Sequence, residues 1–178
     1  MKIALDAGHG GRDPGAVNHK LDLEEKKPAL TIAKLTKGLL DNSGHETVMI
    51  RNNDKYVSLS DRAFIANDEK ADIFISIHHN SFHDKNANGI ETYHWPRSAA
   101  GFKLAEIIQK KSIKCTGLTD RGVKEGRFSV LRNTNMPAVL LEVGFISNPK
   151  EAKLLKDCDF LHVVATVIYN SIIEYGGE

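Results

Sequence analysis

The stretch Ile73-Phe74-Ile75-Ser76-Ile77 limits the fold of this chain more than any other feature. Its apolar side chains are large, most are β-branched, and polarity does not alternate along it. A run of that kind reads as a strand covered on both faces. Ala138-Val139-Leu140-Leu141 is a second such run, and Lys2-Ile3-Ala4-Leu5 is a shorter one. Sheets buried on both faces are mainly parallel, and parallel neighbours need crossover connections, usually helices.

The intervals between the runs supply those helices. Residues 28–41 place Leu30, Ile32, Ala33, Leu35, Leu39 and Leu40 on a wide helical stripe, with Pro28 suited to a first turn. Ser58-Leu59-Ser60-Asp61 is a Ser-x-x-Asp start signal, and a helix is expected over 59–69. Further helices are expected over 98–113, 149–156 and 159–175, and further strands over 47–50, 89–94 and 128–131. The expectation is one α/β domain spanning 1–178, with a twisted, mostly parallel central sheet of about six strands and helices on both faces. A length of 178 residues suits one domain with a real core.

Charge narrows the function. The chain carries 24 basic and 23 acidic residues and a net charge of +1. That balance argues against binding driven by nucleic-acid phosphates and against tight adhesion to an anionic membrane. No apolar run approaches the roughly 20 residues that span a bilayer. The opening Met1-Lys2-Ile3-Ala4-Leu5-Asp6-Ala7-Gly8-His9 lacks a signal peptide's apolar stretch and cleavage site. It reads as a protein made without an export signal, or as a domain cut from a longer exported chain. Cys115 and Cys158 form no CxxC pair; two free, partly buried thiols are expected, with one disulfide between them as the alternative.

Polar clusters sit where the apolar runs end: His9 after the first, His78-His79-Asn80 after Ile77, and Glu142 after Leu141. In open α/β sheets the carboxyl ends of parallel strands line the ligand crevice. If these strands are parallel neighbours, the clusters converge. Histidines plus a carboxylate suit a catalytic zinc, which leaves one coordination place to water, and amide hydrolysis asks for a further, unligated acid. Strand alternation allows only one of His78 and His79 to point at a shared site. The plainer reading of Glu142 is a salt bridge with Arg51 or Arg62. A carboxylate joined to an apolar run needs some such partner, because burial unpaired costs several kcal/mol. His19, His45, His83, His94 and His162 read as surface residues. Gly8-His9-Gly10-Gly11 lacks the Lys-Ser/Thr end of a phosphate loop.

Ordered motifs run almost end to end: Asp6-Ala7-Gly8-His9-Gly10-Gly11-Arg12-Asp13-Pro14-Gly15-Ala16, Ser76-Ile77-His78-His79-Asn80, Thr119-Asp120-Arg121-Gly122-Val123, and Asn135 through Asn148. Together they resemble the zinc amidases called type 3, the N-acetylmuramoyl-L-alanine amidases of bacterial autolysins and phage endolysins. The resemblance implies hydrolysis of peptidoglycan between the lactyl group of N-acetylmuramic acid and L-alanine. It implies Zn2+ held by His9, Glu25 and His78, with Glu142 as the catalytic acid/base outside the ligand set. Glu24 is the alternative to Glu25, and family spacing to Leu30 favours Glu25. Ala29, where the family often has Asn, and His79, in place of a small residue, are departures. A zinc peptidase acting within the stem peptide and a silent wall-binding module are the competing readings. The expected setting is the bacterial cell wall, as a released endolysin or an excised autolysin domain. A monomer, possibly joined to a separate wall-binding domain, is expected.

Overall fold

The computed structural model describes residues 1–177. The chain runs β1 (Lys2–Ala7), β2 (Val17–Asn18), β3 (Leu23–Glu24), α1 (Lys26–Asn42), β4 (Glu46–Met49), α2 (Leu59–Asp68) and β5 (Ile73–Asn80). It continues through β6 (Ile90–His94), α3 (Ala99–Thr116), β7 (Asp120–Glu125), α4 (Ser129–Asn133), β8 (Ala138–Phe145), α5 (Pro149–Leu154) and α6 (Cys158–Gly176). The six-stranded sheet has the order β4-β1-β5-β8-β6-β7. β4, β1, β5 and β8 are parallel, while β6 runs antiparallel to β8 and parallel to β7.

The two-faced burial expected of the apolar runs is present. Ile3, Leu5, Ile73, Ile75, Ile77, Val139 and Leu141 point into a core shared with α1, α3 and α6. Ala4, Phe74, Ala138 and Leu140 alternate to the other face, where α2 and α4 pack. Local chemistry sets the helix starts. The Ser58 hydroxyl caps α2 by accepting from the Asp61 N–H, Ser98 caps α3 through Gly101, and Asn148 caps α5.

The strand expected at Phe128–Leu131 is instead the short helix α4, which turns Val130 and Leu131 down onto the second core. The outer partner of β6 is the strand Asp120-Arg121-Gly122-Val123-Lys124-Glu125. As an edge strand it needs no two-sided apolar pattern, so its polar sequence hid it. The β2–β3 ribbon was also not anticipated. His94 is buried and packs edge-on against Phe102, and His45 is half-buried, so neither is the surface residue expected. Both cysteines are free and exposed rather than partly buried.

Ile75 is fully buried on β5, between β1 and β8. Ile75→Ala is expected to lower unfolding free energy by about 2–5 kcal/mol. In urea titrations this appears as a lower midpoint at unchanged slope. Phe64→Ala, at a residue 65% exposed, should shift the midpoint little.

Candidate metal centre and active-site cleft

The carboxyl ends of β1, β5 and β8 lie side by side, and each delivers one of the anticipated residues. His9 follows β1 in a loop that the backbone would not adopt unaided. Its φ is 60°, a left-handed conformation that costs a non-glycine residue on the order of 1–3 kcal/mol. Buried guanidinium groups hold the loop. Arg51, fully buried, donates from Nε to the Ala7 carbonyl (2.8 Å) and from Nη2 to the Gly8 and Lys26 carbonyls (both 2.8 Å). Arg62 donates from Nη2 to the His9 carbonyl (2.7 Å) and from Nη1 to the Ala7 carbonyl (2.8 Å) and buried Asp6 (2.6 Å). The Ser76 hydroxyl completes Asp6 from β5 (2.7 Å).

Glu25 sits at the start of α1, where the helix dipole favours a carboxylate. Its Oε2 accepts from the Ala16 N–H (2.9 Å) and its Oε1 from the His79 N–H (3.0 Å). The same Oε1 lies 3.1 Å from His9 Nε2 and 2.9 Å from His78 Nδ1. One nitrogen or oxygen each from His9, Glu25 and His78 thus lies within 4.8 Å of the others, a group that could hold a metal ion. Glu24 turns away towards Lys26 and Lys27. His9 Nδ1 lies 2.8 Å from Asp13 Oδ2, so the carboxylate accepts that N–H while Nε2 is turned towards Glu25.

Close packing depends on glycine at two places. A Cβ on Gly8 would stand 2.3 Å from the His78 ring. One on Gly15 would stand 2.6 Å from both Glu25 Oε2 and the His9 ring, at a φ of +68°.

Glu142 pairs in register with His78 across β5 and β8 and lines the same cleft. Its Oε2 is buried without a hydrogen-bond partner. Arg51 and Arg62 are committed to Asp6 and to backbone carbonyls, so the salt bridge considered for Glu142 is not made. Tyr56, Leu59 and Phe128 form apolar walls of the cleft. His79 faces away, its Nδ1 donating to the Val143 carbonyl (2.7 Å).

Residues 3–174 match the family described as N-acetylmuramoyl-L-alanine amidase. The chain belongs to that family. It is 40% identical over 176 residues to the probable cell wall amidase LytH of Staphylococcus epidermidis, covering 97% of this chain and 57% of that protein. It is 43% identical over 171 residues to the endolysin of Bacillus phage SPP1, covering 92% of this chain and 61% of that protein. The chain therefore spans little more than half the length of these relatives. The catalytic domain of CwlV, an N-acetylmuramoyl-L-alanine amidase from Bacillus (Paenibacillus) polymyxa, superposes with a TM-score of 0.94 at 41% identity, covering 99% of this chain and 98% of that one.

Within this amidase fold, the electrostatics divide the acids. Burial acts to raise the Glu25 carboxyl, but His78 and His9 override it and hold the group well below the usual carboxylate range. For His9, burial acts downward, and Glu25 and Asp13 reverse the effect and lift the imidazole to about 9. His78 is also raised: its burial is outweighed by Glu25 and Glu142. Burial pushes Glu142 up to about 7, with Glu25 and Glu91 adding to the rise and His78 opposing it. Burial lowers His79 to about 4 and keeps it neutral.

The sequence did not single out Asp13, Arg51, Arg62 or Asp6 for these positions. Asp13 stands four residues after His9 in a glycine-rich loop, where no regular spacing implies contact. The arginines act through carbonyl groups, which carry no sequence signal.

A pH effect follows for the metal-free protein. His9 has a folded value of about 9 and an ordinary value of 6.5. Its ion pair with Glu25 stabilises the fold fully below pH 6.5 and is lost as pH rises through 9. Melting of chelator-treated protein should therefore fall over that window, and His9→Gln should flatten the fall. Gly8→Ala should displace the His78 ring and weaken any divalent-metal uptake measured by equilibrium dialysis, while circular dichroism still reports the α/β fold.

Proposed function

We propose that this chain is a zinc-dependent peptidoglycan amidase that cleaves between the lactyl group of N-acetylmuramic acid and L-alanine. The observation that carries this reading is the placement of Glu142. A carboxyl with a covered, unpartnered oxygen stands one strand from two imidazoles and a carboxylate that converge on a point. The donor set fits zinc, which takes neutral imidazole nitrogen and carboxylate oxygen, and a catalytic site uses three protein ligands. His9, Glu25 and His78 would hold the ion, and Asp13 would fix the His9 tautomer. Bound there, zinc supplies an acidified water and polarises the scissile carbonyl.

The chain's own groups do the rest. Glu142, raised to about 7, accepts a proton from the attacking water and returns it to the departing L-alanine nitrogen. Glu25 is held ionised, which suits it to bind a cation and not to carry protons. Tyr56 and Phe128 offer aromatic faces, and Leu59 an apolar side chain, to a sugar ring in the cleft. The bacterial cell wall is the site of action in this reading, and residues 1–178 form the catalytic unit.

Glu142→Gln should lower kcat by roughly 10²–10⁴-fold while retaining about one zinc per chain. His78→Ala should lose both metal and turnover. Mass spectrometry of digested wall should find free peptides beginning with L-alanine beside intact glycan. Stem peptides cut internally, with the lactyl amide whole, would instead mark a peptidase.

A further inference from the structure

A polar cluster lies beside Glu142, away from the three candidate ligands. Glu91 on β6 is 2% exposed and stands directly opposite Glu142 on β8. Its Oε1 accepts from Asn80 Nδ2 (2.6 Å) and the Tyr93 hydroxyl (2.8 Å). Its Oε2 accepts from Arg121 Nε (2.9 Å) and from Lys124 Nζ. Two cations from the edge strand β7 are thus fastened to one buried carboxylate, and with Asp84 at the rim the lining carries two charges of each sign. Asp84 at the rim of this hollow is tied to the N–H groups of Asn86. Arg121 is further fixed by its guanidinium lying 4.9 Å from the centre of the Phe145 ring, yet its side chain remains 34% exposed. The hollow shares Asn80 with the main cleft.

We infer that Arg121, assisted by Lys124, binds a free carboxylate on the leaving peptide, and that the protein distinguishes a carboxylate from its amide there. The inference rests on the amidase reading. Across the sheet, the imidazoles and Glu25 lie over β1 and β5, Glu142 over β8, and the cations over β6 and β7. The acid that protonates the leaving nitrogen is on the β6 side of the ligand cluster, so the peptide attached to that nitrogen departs towards β6. Adjacent strands are about 4.8 Å apart, which places the cations roughly 5–10 Å from Glu142. An extended peptide covers that distance in about two to three residues at 3.3–3.6 Å each. In a stem peptide joined through the side-chain carboxyl of its second residue, the free α-carboxyl falls in this range, whereas the nearby sugar carries no charge. A preorganised guanidinium pairs with a carboxylate in a two-pronged geometry that a primary amide cannot match.

The test uses the zinc-loaded full chain and two N-acetylmuramoyl tripeptides. They differ only in whether the second residue's α-carboxyl is free or is a primary amide. Wild type should favour the free acid by about tenfold or more in kcat/KM. Arg121→Gln should collapse that ratio towards one, and Arg121→Lys should restore part of it. A wild-type ratio near one overturns the inference. So does an Arg121→Gln variant that lowers both substrates in proportion, since that marks a merely structural role. If wild type cleaves neither substrate, the amidase reading fails on its own account. Calorimetry with the tripeptide alone then decides the subsite: binding weakened about tenfold by Arg121→Gln sustains it, and absence of binding overturns it.

Discussion

The site depends on buried guanidinium groups holding a strained loop by its carbonyl oxygens. Arg51 and Arg62 together engage the carbonyls of Ala7, Gly8, His9 and Lys26. These atoms belong to the end of β1 and the start of α1, the segments that carry His9 and Glu25. Buried cations are costly unless compensated, and here Asp6 compensates one of them directly. The arrangement fixes two site side chains without touching either, because it grips main chain. It also explains why a non-glycine residue tolerates a φ of 60° at position 9: the surrounding hydrogen bonds determine the conformation more strongly than local sterics oppose it.

A second constraint is the separation of acid roles by environment. Glu25 and Glu142 are both largely buried carboxylates within one strand of His78, yet their proton affinities diverge. Glu25 lies between imidazoles and accepts backbone N–H bonds, while Glu142 has a covered oxygen with no donor. Burial alone would raise both. The difference lies in which charges and donors stand nearby, and it separates a group suited to hold a cation from one suited to move a proton.

Much of this was legible in the residues themselves. The β-branched run at 73–77 carries its own evidence of two-sided burial, and the neighbouring runs at 3–5 and 138–141 pack beside it as parallel strands. Alternation along β5 correctly separates His78 from His79. Other parts were hidden for definable reasons. Asp120–Glu125 is an edge strand whose pairing is made by backbone groups, so its polar side chains conceal it. Val130 and Leu131 are apolar enough for a strand, but anchor one short helical turn. Glu24 and Glu25 cannot be told apart by composition, and motif spacing alone favoured the residue that the fold turns inward. Arg51 and Arg62 were weighed as partners for Glu142, whereas their donors were already taken by main chain nearby in space and remote in sequence.

The strand order has a bearing on how the molecule is made. β5 and β6 follow one another in the chain, yet they are not neighbours; β8, arriving more than forty residues later, fills the slot between them. Without β8, β5 and β6 would each lack a neighbour on one edge, and the cleft over His78 would lack Glu142. An N-terminal fragment that stops short of β8 carries His9, Glu25 and His78 but lacks Glu142. The sheet and the lining of the cleft are completed by the same late insertion.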